Sequence, residues 1–312
     1  MRPVAGFWPA LISSTLFTLL AGYLSVSLGP TSADPQFTLY QIRLPRFVTA
    51  VLVGAALGVA GSLLQLATRN PLSEPELLGV NQSAVFAVVL LLLVSGGGAH
   101  PLLMLAVALL GGGVTGVAIL LMSASGAFPR ERLILAGLTM AFFFASACSG
   151  LLLLAGTDLF ELLHWTAGKL SGANWLDAGL VGACLIPVAL VSVARATQWN
   201  ALLLGDDTAR GLGIDPVNRR VEIVSLAVLL CAVSVSVAGP IGFVGIIVPH
   251  LANMLAGLDY RRRIPLILLM GGALVALSDV LARIVLHPAE IPVGILTALV
   301  GAPYFLYRAQ KL

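Results

Sequence analysis

What most constrains this chain is the spacing of its apolar runs. Ten windows, 4–27, 47–67, 77–95, 102–122, 133–155, 176–194, 221–238, 240–257, 264–286 and 291–307, approach the ~20 residues a helix needs to cross a bilayer. Inside lipid a backbone satisfies its hydrogen bonds only in helices or closed barrels, and unbroken runs of this length select helices. The fold class read from the sequence is therefore an all-α polytopic membrane protein with ten transmembrane helices, one domain over 1–312. Composition agrees, with 59% hydrophobic and 10% charged residues, where soluble domains carry roughly 25% charged residues. No small-residue cleavage site precedes a hydrophilic domain, so the first window is expected to remain as a span rather than a leader.

Charge fixes an expected orientation. With the N-terminus inside and an even number of spans, the basic residues fall on the cytoplasmic side, from Arg2, Arg69, Arg130 and Arg132 through to Arg308 and Lys311. The exceptions among the 17 are Arg43, Arg46, Lys169 and Arg283. That asymmetry obeys the positive-inside rule and places both termini in the cytoplasm. The pI of 9.0 then reflects topology, and no nucleic-acid partner is implied. Cys148, Cys184 and Cys231 lie inside apolar windows without paired spacing and read as small core residues. Two segments echo each other weakly, Pro71–Gly79 and Pro288–Gly294, too briefly to establish an inverted repeat.

One polar island interrupts the pattern, Leu204-Gly-Asp-Asp-Thr-Ala-Arg-Gly-Leu-Gly-Ile-Asp215. Asp206, Asp207 and Arg210 are placed on a short helix that Gly211 and Gly213 stop, which suits a surface element gripped by another protein. Small residues recur at helix-packing spacing in Gly54/Gly58, Gly112/Gly116 and Gly239/Gly242/Gly245. Gly239-Pro240-Ile-Gly242 differs from the others, because glycine with proline favours a broken helix beside a cavity. Gly239, Pro240 and Gly242 are thus expected near a pathway.

Ionisable groups near span ends come next, since an unpaired charge in lipid costs at least ~2.5 kcal/mol. Asp279 and Arg283 lie four apart, and a mutual ion pair competes evenly with a docking or gating role. Glu290 reads as a solvated loop carboxylate or as the N-terminal charge of the last helix. Arg43 and Arg46 flank a helix start at Pro45, where the dipole does nothing for them. Lipid phosphate or Asp34 competes with a partner protein to meet them.

His250 is expected in the inner half of its span, and no second ligand stands at metal spacing, so no metal site is read. His100, His164 and His287 fall in loops, and Gln65 and Asn81 read as amides that bond across helices or cap them. No phosphate-cradling loop, His-Glu-x-x-His or Gly-x-Ser-x-Gly is present, which argues against an enzyme.

Together these blocks resemble one family. Arg43-Leu-Pro-Arg46 into Gly54-Ala-Ala-Leu-Gly58, Arg69-Asn-Pro-Leu-Ser-Glu-Pro-Glu-Leu-Leu-Gly-Val-Asn81 and Leu204–Gly213 are similar to the FecCD family of ABC-transporter permeases. So are Gly239–His250, Asp279–Arg283, Glu290–Gly294 and Gly301-Ala-Pro303. The resemblance implies a type II ABC importer permease fold in the bacterial cytoplasmic (inner) membrane. It also implies two permease subunits, identical or paralogous, two cytoplasmic ATPase subunits and an extracytoplasmic substrate-binding protein. ATP-Mg would be used by the ATPases, with no cofactor on this chain.

Segment 204–215 then matches the coupling helix, with Leu204, Gly205, Asp206, Asp207, Ala209, Arg210, Leu212 and Gly213 as its contact residues. Arg43, Arg46 and Arg283 match arginines that meet acidic residues of the binding protein, Asp279 orienting Arg283. Gly239, Pro240, Gly242 and His250 remain the pathway and gating candidates. The cargo expected is a ferric siderophore, with haem or cobalamin as alternatives. An ion-coupled secondary transporter is the alternative of another class, and would need titratable groups within the spans, where the sequence shows its acids at loops and helix ends.

Overall fold

The apolar windows fold as helices. A computed structural model describes residues 6–28, 34–96, 99–124, 130–154, 165–286 and 289–309. Arg2, His164, His287, Pro288 and Lys311, all named above, lie outside the described residues. The chain runs α1 (Phe7–Ser27), a short turn Pro35–Phe37 with a π-helical continuation Thr38–Arg43, α2 (Leu44–Thr68), α3 (Val80–Val94), α4 (Pro101–Ala124) and α5 (Arg130–Leu154). It continues with α6 (Trp175–Ala194), α7 (Ala196–Leu203), α8 (Asp206–Gly211), α9 (Pro216–Ala238), α10 (Val244–Ala256), α11 (Tyr260–Ile284) and α12 (Val293–Ala309). Among the described residues, 7 helices are long and apolar enough to cross a membrane, and three shorter apolar stretches, Val80–Val94, Val244–Ala256 and Val293–Tyr304, occupy the other expected windows.

Helix starts follow from local chemistry. Asn174, Asp215 and Asp259 cap α6, α9 and α11 by accepting first-turn backbone N–H groups, and Pro216 occupies the first position of α9. Asp34 caps the turn at Pro35 in the same way.

Helix α2 is the axis of the bundle. It packs against α11, α9, α10 and α6, and from Val53 to Thr68 every residue is buried. Close approach explains why glycine recurs here, because lipid supplies no hydrophobic drive and helices gain by touching backbones. A Cβ at Gly54 would stand 2.1 Å from the Gly271 carbonyl oxygen of α11, and one at Gly61 would stand 2.3 Å from Gly245 of α10. Gly112 and Gly116 of α4 face Val228 of α9. The outer faces are apolar and exposed, as at Phe17, Leu110, Phe142 and Leu190, which suits lipid.

The two ends of the bundle differ. Helix α2 carries Arg46 at one end and Arg69 just past the other, and the α8 segment lies at the Arg69 end. The connection from Arg69 to Gly79 folds back into the bundle. A Cβ at Gly79 would meet the backbone of Gly137 and Ala141 in α5, and Pro75 and Glu74 lie against Gly245. This re-entry shortens α3.

Candidate functional site: a short polar helix and a charge cluster at each end of the bundle

Helix α8 forms where charge and glycine place it. Asp206 and Asp207 sit in its first turn and Arg210 in its last, the order the helix dipole favours. Gly205 (φ +113°) and Gly213 (φ +77°) adopt conformations that side chains rarely take, so both boundaries depend on glycine. The residues divide by face. Ala209 is buried, while Leu204, Asp207, Arg210, Leu212 and Gly213 are exposed. Asp207 accepts from Arg210 Nη1 at 3.0 Å on the open face.

Asp206 does something else. Its carboxylate accepts from Arg220 Nη2 of α9 at 2.8 and 3.0 Å and also pairs with Arg69. Arg69 in turn donates to the Leu202 carbonyl at 3.2 Å. One side chain of the short helix therefore ties α8 to the end of α2 and the start of α9. Sequence spacing placed Asp206 with Asp207 on a gripping surface, but the structure turns it inward because two guanidiniums at this end require a carboxylate.

Arg69 also opens the re-entrant segment. It is left-handed (φ 54°), one of two non-glycine residues with positive φ among those described, and the other is Phe243 (φ 66°). Such backbone costs of order 1–3 kcal/mol unless surroundings hold it. Phe243 is held by Glu74, whose carboxylate accepts the Phe243 N–H at 3.3 Å. Glu76 accepts from Asn81 Nδ2 at 3.3 Å and Gln82 Nε2 at 2.5 Å. Glu74 is 1% exposed, and Glu76, partly buried, lies beside Gly242. The sequence reading placed the acids at loops and helix ends and gave neither glutamate a role. The available signal was an acid on each side of Pro75 in a segment ending at Gly79.

The glycine-proline turn packs where a broken helix was expected. Gly239 (φ +67°) lies against the Trp165 carbonyl, and Gly168 and Gly294 crowd the Pro240 carbonyl. His250 lies on α10 with its ring centroid 5.8 Å from that of Tyr304 on α12. Gln65 bonds across helices, Nε2 donating to the Gly245 carbonyl at 3.0 Å.

At the opposite end the arginines close on the chain's own acids. Arg46 grips Asp279 through Nε at 2.9 and 3.1 Å and Nη2 at 2.8 Å, and reaches Glu290 through Nη1 at 3.0 Å. Arg283 meets Asp279 at 3.3 Å, which is the expected i,i+4 pair, and donates to Ser25 Oγ at 2.8 Å. Arg46 is 7% and Arg283 6% exposed, so both arginines that the resemblance assigns to docking are buried against the chain's own acids. Arg43 is half-buried and donates to the Val26 carbonyl. Glu290, read as a loop carboxylate, belongs to this cluster.

Among the described residues no group of three or more His, Cys, Asp or Glu could hold a metal ion. The chain is 38% identical to the Fe(3+) dicitrate transport system permease protein FecC of Escherichia coli K12, over 91% of this chain and 86% of that protein. It is 36% identical to the hemin transport system permease protein HmuU of Yersinia pestis, over 85% of this chain and 81% of that one. A solved inward-facing ABC transporter of the metal-chelate type superposes with a TM-score of 0.85 at 30% identity, covering 97% of this chain and 99% of the other. A profile of the FecCD transport family matches residues 5–311, and the chain belongs to that family.

Proposed function

We propose that this chain is the permease subunit of an ABC importer that moves a ferric siderophore or related iron chelate across the bacterial cytoplasmic membrane by ATP-driven alternating access. It crosses ten times with both termini in the cytoplasm. It pairs with a second permease, two ATPases that use ATP-Mg, and an outer binding protein. The observation that carries this reading is the division of labour in α8. Its open face offers Leu204, Asp207, Arg210 and Leu212 to a partner, while Asp206 bonds inward to Arg69 and Arg220. A push on the open face is delivered to α2 and α9 together.

Through α2 the push reaches the re-entrant segment, because Arg69 begins it and Glu74, midway along it, holds the backbone of Phe243. Two-state rearrangement of such an element is what alternating access requires. The pathway is assigned to the region of Gly239, Pro240, Gly242 and His250. Docking of the binding protein is assigned to Arg43, Arg46 and Arg283, and requires Arg46 or Arg283 to exchange part of its bond to Asp279 for a partner's acid. The iron-chelate cargo is supported by the relatives named for Fe(3+) dicitrate and hemin. Cobalamin is the remaining cargo of this reading, since a relative named as a vitamin B12 import permease matches over 96% of this chain and 92% of its own length.

A second reading has one observation in its favour. An ion-coupled secondary transporter needs carboxylates within the bundle, and Glu74 and Glu76 are there. Reconstitution separates the two. Vesicles holding the chain, its ATPases and binding protein should take up labelled ferric dicitrate only with ATP inside. Uptake by the chain alone on a proton or sodium gradient would overturn the importer reading. Side-by-side uptake of hemin and cobalamin decides the cargo.

A further inference from the structure

A cavity of about 280 Å³ opens at the α8 end of the bundle, between the last turn of α2, the end of α7, the end of α10 and the start of α11. Gln65, Arg69, Leu203, Asn253, Tyr260 and Arg263 line it. Arg263 is the member that needs explaining. It is 2% exposed, its guanidinium lies 4.4 Å over the Tyr260 ring, and its Nη2 donates to Ser62 Oγ at 3.2 Å. Among the described residues no carboxylate stands within salt-bridge distance of it. Its Nε is buried with no acceptor.

Arginine keeps its charge and its five donors when buried, so an unpaired guanidinium is under strong electrostatic demand for an anion. The acids nearby are already engaged. Asp206 serves Arg69 and Arg220, and Asp259 caps α11 while accepting from Asn200 Nδ2 at 2.7 Å. The start of α11 adds the positive end of its dipole, with Arg261 and Arg262 alongside. The Asn253 amide oxygen is also buried without a partner. Exchanging the oxygen and nitrogen of that amide turns it into a further donor. With that exchange the Asn253 amide joins Arg263 as a donor.

We propose that this cavity binds a phosphate group, held by the fork of Arg263 with Arg69 as the second guanidinium. Arg263 has no carboxylate of its own and Arg69 shares the single charge of Asp206 with Arg220, so positive charge is left over to meet a phosphate, whose oxygens the planar fork suits. The phosphate can be free in solution or belong to the headgroup of an anionic phospholipid that reaches over the exposed Leu203 and Leu258.

The test uses the purified full chain. Its Tm is measured in sodium phosphate against sodium chloride at equal ionic strength, and in nanodiscs of phosphatidylglycerol against phosphatidylcholine, for the wild type and Arg263→Leu. The wild type gains about 2–4 °C, saturably, from one of the two probes, and Arg263→Leu gains nothing. A gain from inorganic phosphate assigns the free anion, and a gain from phosphatidylglycerol alone assigns the headgroup. Equal gains in both proteins, or none in the wild type, overturn the proposal. If Arg263→Leu does not fold, native mass spectrometry of the wild type decides. A retained phosphate or phosphatidylglycerol supports the site, and retention of neither overturns it.

Discussion

The charge clusters at the two ends of the bundle use the same chemistry to opposite ends. At the Arg46 end, two buried guanidiniums share Asp279, which is 1% exposed. At the α8 end, Asp206 also joins two arginines, but it is 27% exposed and sits on a helix of six residues. A buried pair is costly to break, whereas a pair about a quarter exposed is partly screened by solvent, contributes less to stability and gives more readily. The first cluster behaves as a pin across α2 and α11. The second has the looser setting that the proposed transmission of a push requires of a joint.

The comparison breaks most visibly at Asp279. Asp279→Ala leaves Arg46 and Arg283 buried without their shared carboxylate and should cost about 3–5 kcal/mol, read as lost yield and a lower Tm in detergent. An unchanged Tm would remove the pin. Next in size is the α2–α11 crossing that the pin holds. Gly54→Val drives its side chain into the Gly271 backbone and should cost about 1–3 kcal/mol in thermal unfolding, with Gly54→Ala milder.

The joint predicts the reverse balance of effects. Asp206→Ala should move stability by no more than about 1 kcal/mol, yet lower ATP-driven uptake at least tenfold while the ATPase stays bound. Loss of fold in place of loss of uptake would make Asp206 a second pin.

The smallest expected effect is on pH. Asp259 lies just outside α11. Partial burial raises its carboxyl, but hydrogen bonds from Asn200 and the Arg261 N–H, with the charges of Arg261 and Arg262, hold it below its ordinary value. Its contribution is therefore full above the unfolded value near ~3.9 and is lost as pH falls through the lower folded value. The Tm of the wild type should fall more steeply below pH ~4 than that of Asp259→Asn, and parallel curves would contradict the shift.

Much of this architecture was legible before any coordinates. Apolar windows became helices within a few residues, because run length and flanking caps are local properties. Helix α8 was legible for the same reason, from two acids, an arginine and two glycines. What stayed hidden depends on distance along the chain. Arg46 and Asp279 are 233 residues apart, so no local pattern names Asp279 as the partner. Glu74 and Glu76 looked like loop acids because only tertiary packing folds their segment back into the bundle. Gly61 and Gly271 stood outside the glycine spacings chosen, yet they make two of the tightest crossings. Nor does local spacing separate the two acids of the polar island, of which Asp206 faces inward and Asp207 outward.

The central claim is that α8 passes the motor's work to α2 and α9 through Asp206. The most direct measurement is cargo moved per ATP hydrolysed in vesicles containing the whole importer, for wild type, Asp206→Arg, and Asp206→Arg with Arg220→Asp. The account predicts continued hydrolysis with uptake lost in the single variant and partly regained in the charge-swapped double variant. An unchanged ratio in Asp206→Arg would contradict it.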